Sequence, residues 1–147
     1  MKITIINLQN KVPVNSREVI KTVQNVLSSE GIRKKGEITV SFVNDKKIRE
    51  LNLKYLGKNR PTDVIAFDVT EPKSPAKLFA DIVISADRAI DNAGVFKTNA
   101  LSELYLYIIH GVLHILGYDD HAKKDKLIMR KKEAQLLEKC LYIKPKY

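Results

Sequence analysis

The alternation of apolar and polar positions divides this chain into four strands and five helices. Lys2 to Leu8 is rich in Ile and Thr and reads as a strand closed off by Pro13. Asn15-Ser16-Arg17-Glu18 has the spacing of a capping box, and Val19, Ile20, Val23, Val26 and Leu27 then share one helical face. Glu37 to Val43 alternates, with Ile38, Val40 and Phe42 on one side, which is the pattern of a half-buried strand. Asn44 is placed to cap a helix that turns Ile48, Leu51 and Tyr55 inward. Val64 to Val69 and Leu78 to Ser85 read as two further strands around a proline-bearing loop, and a short helix follows from Ala86 to about Ala93. Thr98 or Asn99 opens the longest helical pattern, whose apolar face carries Leu101, Leu104, Tyr105, Ile108, Val112 and Ile115. A helix apolar over so much of its circumference belongs in the interior. Lys123 to Cys140 is the last helix, with Leu127, Met129, Ala134, Leu136, Leu137 and Leu141 assigned to its apolar half. Strands followed mainly by helices predict an α+β fold: one small domain over residues 1–147, a four-stranded sheet covered on one face by helices, and the long helix at the centre.

Composition changes this picture little. The chain has 147 residues, enough to bury a core as one domain. Its net charge of +9 makes a polyanion, nucleic acid first, a reasonable partner. Nine Lys or Arg against three Asp or Glu between Lys123 and Tyr147 leave two readings of that end: a surface for polyanions, or a solvated helix face. A single cysteine, Cys140, excludes an internal disulfide. The apolar run at Met1–Asn7 is too short for a signal peptide, and nothing approaches the roughly 20 apolar residues of a membrane span. A cytoplasmic protein is expected.

The chemistry is concentrated in one place. All three histidines fall within His110-Gly111-Val112-Leu113-His114-Ile115-Leu116-Gly117-Tyr118-Asp119-Asp120-His121. His110 and His114 are four apart and therefore share a helix face, in line with Glu103 and Tyr107. Gly117 suits the position just past a helix end, and Asp119, Asp120 and His121 return on the outgoing chain. Two imidazoles plus a third ligand after a turn make an open zinc site, which would lower the pKa of a coordinated water to about 7. A structural zinc would want four ligands, often thiolates, and Cys140 is distant. Zinc proteases of the H-E-x-x-H kind place their general base after the first histidine; here that residue is Gly111, which disfavours a peptidase.

The histidine motif resembles the metal-binding signature of the YbeY family of rRNA-maturation endoribonucleases. Ser41-Phe42-Val43-Asn44-Asp45, Pro61-Thr62-Asp63-Val64-Ile65-Ala66-Phe67 and Ala80-Asp81-Ile82-Val83-Ile84-Ser85 are similar to that family's strand motifs in the same order, so the likeness spans roughly residues 37–140. It implies a small α+β domain with one zinc ion per chain. It also implies single-strand-specific RNA cleavage, in 3′-end maturation of small-subunit rRNA and in ribosome quality control. The partners it implies are rRNA and the small ribosomal subunit.

Two positions depart from the family pattern. The usual third histidine stands ten residues after the first, where this chain has Asp120, with His121 one later. Both are candidate ligands beside His110 and His114; His121 is favoured because a turn can absorb one residue. Many members carry an arginine, associated with RNA cleavage, where this chain has Leu56. Lys58 and Arg60 are then the candidate phosphate contacts, and with His114 they form the expected catalytic set. The alternative is a ribosome-associated assembly factor whose zinc is mainly structural.

Overall fold

The computed structural model describes residues 1–74 and 76–142, with the side chains of residues 141 and 142 left out of the description. The four strands are β1 (Lys2–Asn7), β2 (Lys35–Val43), β3 (Val64–Asp68) and β4 (Lys77–Ser85). The five helices are α1 (Ser16–Ser29), α2 (Asp45–Leu56), α3 (Ala86–Phe96), α4 (Ala100–Ile115) and α5 (Lys123–Tyr142). Strand order is β1-β2-β4-β3. β1, β2 and β4 run parallel, and β3 is the antiparallel edge. The α+β domain read from the sequence is the fold observed.

Local chemistry accounts for the boundaries. The side chains of Asn15, Asn44, Ser85 and Asn99 each accept a backbone N–H three residues on, capping α1, α2, α3 and α4 in turn. Gly36 sits in β2 at φ 140°, and a Cβ there would lie 1.8 Å from the Leu78 carbonyl oxygen; only glycine lets these strands approach.

The register places Ile5, Val40, Ile82 and Ala66 in one row across the sheet. On that face, Ile38, Val40, Phe42, Ala80, Ile82 and Ile84 meet the apolar sides of α1 and α4 in the main core, with Leu104, Ile108, Val112 and Met129 buried over them. Each of these side chains except that of Ala80 contributes roughly 1.5–3 kcal/mol by leaving water. Ile48, Val43, Ile65 and Val83 form a smaller cluster, built from the alternate strand positions. The sheet is therefore covered on both faces, α2 lying on the side opposite α4, and not on one face as the sequence suggested.

Other expectations shift too. α5, with 20 residues, is longer than α4, with 16. Tyr55 is not turned inward: it is 56% exposed and stands edge-on to Phe67 at the rim of the smaller cluster. On α5, Met129 and Leu136 are buried, but Leu127 is 63% exposed and Ala134 is also exposed. The chain leaves one side of α5 in water, and consecutive Leu127, Ile128 and Met129 cannot all face the core. The side chain of Leu141 lies outside the described residues. Among the described residues, no helix is long and apolar enough to cross a membrane.

Candidate metal centre

α4 crosses the sheet with Gly111 against it. A Cβ on Gly111 would stand 2.8 Å from the Ile82 Cγ2 and 3.3 Å from the Val64 Cγ2, so the glycine allows close contact of helix and strand. The position that would hold the general base of a zinc protease is thus occupied by the sheet. His110, one residue earlier, faces instead a cleft of about 340 Å³ between α4, α3 and α5. His114 lies one turn further along, and the two rings meet edge-to-face with centroids 4.5 Å apart.

The end of α4 is a Schellman turn. Tyr118 N–H donates to the Leu113 carbonyl and Gly117 N–H to that of His114, both at 3.0 Å, with Gly117 at φ 102°. The Tyr118 hydroxyl donates to Glu30 at the end of α1, which also pairs with Lys132 at 3.0 Å. Thus α1, α5 and the turn are tied together, and the turn returns Asp120 to the histidines. The Asp120 carboxylate lies 3.7 Å from His110 Nε2 and 3.6 Å from His114 Nε2. Ligands about 2.1 Å from a tetrahedral ion stand about 3.4 Å from one another, so this spacing suits a metal. His110, His114 and Asp120 form a group that could hold an ion. His121 is placed elsewhere: its side chain is 89% exposed, its ring is 3.6 Å from Asp119, and it joins only a second, more exposed group with Asp119 and Asp120.

The sequence reading missed Glu133. Its Oε2 lies 2.6 Å from His110 Nδ1, and its side chain is only 12% exposed. An ionised carboxylate only accepts, so Nδ1 carries the proton shared with Glu133, and the lone pair of Nε2 is left to serve as a metal ligand on the side of Asp120. Burial alone would lower the His110 pKa, but the Glu133 hydrogen bond and the charges of Glu133, Asp120 and Asp63 outweigh it and hold the pKa above the ordinary histidine value. One signal was available: between Lys126 and Leu137 the chain carries a single acid, Glu133.

Glu103 and Tyr107, in line with the histidines, are buried rather than exposed. Glu103 accepts from the Thr98 hydroxyl at 3.0 Å, and Tyr107 OH accepts from Asn92 at 2.7 Å while donating to Glu103. Burial pushes the Tyr107 hydroxyl far above its usual range, so it stays protonated. Asp63 accepts from its own neighbour, Val64 N–H, at 2.8 Å, and lines the cleft. Ser85 is fully buried as the α3 cap and donates to Asp45 at 2.8 Å, which makes it part of the frame. Asp81 is exposed on β4. Lys58 and Arg60 are exposed on the loop after α2, with the Arg60 carbonyl held by Asn52 at 2.9 Å. Neither is among the residues lining the cleft.

The family model described as Endoribonuclease YbeY matches residues 4–141. The chain belongs to the YbeY endoribonuclease family. A YbeY endoribonuclease of Syntrophus aciditrophicus is 40% identical over 141 residues, covering 92% of this chain and 88% of that protein. The YbeY endoribonuclease of Bacillus subtilis is 34% identical over 136 residues, covering 84% and 87%. A solution structure of a Thermotoga maritima protein superposes with a TM-score of 0.64 at 26% identity, covering 94% of this chain and 88% of the other. The likeness to YbeY therefore spans all four strands and α1 to α5, well beyond the stretch of residues 37–140 on which the sequence motifs rest.

Proposed function

We propose that this chain is a zinc-dependent endoribonuclease that cleaves single-stranded rRNA of the small ribosomal subunit, with one ion per chain. The observation that carries the reading is the His110, His114 and Asp120 group, of which His110 and Asp120 line a cleft, in a chain of an endoribonuclease family. The donor set fits zinc: two imidazole nitrogens, one carboxylate, and room for water or substrate at the fourth position. Bound there, the ion supplies Lewis-acid chemistry, acidifying water and neutralising charge that develops on phosphate.

The chain's own residues prepare that chemistry. Glu133 fixes the tautomer and ring orientation of His110, so that Nε2 faces the group. The Schellman turn and the Tyr118–Glu30 contact hold Asp120 in place. Gly111 keeps α4 close to β3 and β4. Lys58 and Arg60 serve as outer contacts to the RNA backbone. Three donors rather than four among the described residues suit an open site better than a closed structural zinc and favour the enzyme over the assembly factor. The test is cleavage of a single-stranded RNA by protein of measured metal content, before and after stripping with a chelator. Cleavage that follows zinc supports the proposal; undiminished cleavage by the metal-free protein refutes it.

A further inference from the structure

We infer that the α3–α5 wall of this cleft is the strand-holding subsite, in which Phe96 stacks on an RNA base and Lys126 and Arg130 hold the adjoining phosphates. The inference deepens the endoribonuclease reading and rests on it.

Lys126 and Arg130 are four apart on α5 and so share a helix face. They are the lysine and arginine that line the cleft. Four carboxylates line the cleft and each is engaged elsewhere: Glu133 is bonded to His110, Asp120 lies between the two histidines, Glu103 accepts from Thr98 and Tyr107, and Asp63 accepts from Val64 N–H. Neither cation has a side-chain partner among the described residues. Unneutralised cations over a metal group suit a ligand that brings its own negative charge. Lys123, Lys124, Lys131 and Lys139 are exposed outside the cleft and read as solvated helix, Lys132 pairs with Glu30, and Lys144 and Lys146 lie outside the described residues. The two readings that the sequence left open thus divide along α5.

Phe96 supplies the second, independent element. It is the last residue of α3, 65% exposed, and it lines the same cleft. Lys97 follows in the left-handed conformation at φ 55°, which ends the helix and leaves the ring at the mouth. A ring kept in water gains by covering its face. Exposed aromatics interleaved with cations are the makeup of single-strand grooves, because every base offers a π-face. A duplex hides those faces inside its stack, so this wall selects single strands over duplex RNA.

The test uses the full, zinc-loaded chain and a short fluorescent oligoribonucleotide, with binding read by stopped-flow anisotropy ahead of turnover. Phe96→Ala should weaken binding by about tenfold or more, within the range of one base–aromatic stack. Phe96→Trp should restore it, and an oligonucleotide of abasic sites should bind wild type and Phe96→Ala equally. Lys126→Gln with Arg130→Gln should flatten the slope of log affinity against log salt by about 1.4, at about 0.7 per phosphate contact on a single strand. Phe96→Ala should leave that slope unchanged. All three side chains are exposed, so thermal melting should match wild type. Wild type that binds RNA while both variants retain its affinity and slope overturns the subsite and leaves the endoribonuclease reading standing. Wild type that neither binds nor cleaves RNA overturns both.

Discussion

Removing Glu133 should loosen the metal without touching a ligand. The contact to His110 Nδ1 is 2.6 Å long, charge-assisted and 12% exposed, so little water stands ready to replace it. Loss of such a supporting partner typically costs 10- to 100-fold in metal affinity, about 1.4–2.7 kcal/mol. Glu133→Ala, which removes both acceptor and charge, should fall near the upper end; Glu133→Gln, which keeps an acceptor, near the lower. The effect should depend on pH in a definite direction. In the folded, metal-free protein His110 titrates above its unfolded value. Its protonated form therefore stabilises that protein fully below the unfolded pKa of about 6.5, and the stabilisation is lost as pH rises through the raised pKa. Zinc must displace the same proton, so zinc affinity should climb with pH across that window. Either substitution should move the climb to lower pH, because the first effect of Glu133 on His110 is to oppose burial and hold the proton. The assay is competition against a zinc chelator at several pH values, beside urea unfolding of the metal-free proteins. Wild-type affinity retained in Glu133→Ala, or a pH profile that does not move, would refute the role.

Three further outcomes follow from the same geometry. His114→Ala should lose both stoichiometric zinc and RNA cleavage, read by metal analysis and gel assay; cleavage without metal contradicts the site. Asp120→Ala should bind zinc more weakly than His121→Ala, which should remain near wild type, because only Asp120 stands with the helical pair. Gly111→Ala should destabilise the fold by up to about 2 kcal/mol in urea unfolding, since overpacking against buried Ile82 exceeds the roughly 1 kcal/mol gained in helix propensity; a more stable variant would show that the helix can move away.

The parts of this molecule governed by periodicity were legible. The strands and caps were readable because one face of each element must be apolar and the first N–H groups of each helix need an acceptor. The His110–His114 pair was readable because a spacing of four is a statement about geometry on a helix. Glu133 was not, because its place at His110 depends on how α5 docks on α4, a contact across 23 residues that no local pattern encodes. Tyr55 was misplaced for a related reason: helical phase put it inward, but the cluster under α2 is small and ends at Phe67. The same limit put helices on one face of the sheet, since strand alternation names two faces without saying which helix reaches which.

The third ligand shows where spacing stops deciding. Counting residues favoured His121 over Asp120, on the argument that a turn absorbs an insertion. The turn does absorb it, but in the opposite sense. Asp119 accepts the His121 backbone N–H at 3.1 Å, which tightens the chain after Tyr118 and sends the His121 ring outward, while Asp120 stays with the histidines. A carboxylate in place of an imidazole removes one unit of positive charge from the site, so an ion held there would acidify water less strongly. Asp120→His should therefore shift the rise of cleavage rate with pH to lower pH than in wild type, with zinc still bound. The measurement is single-turnover cleavage across pH at saturating zinc, with metal content checked in each sample. A profile that stays in place while zinc is retained would mean that Asp120 does not set the acidity of the site, and that the return of the chain after Gly117 serves the fold alone.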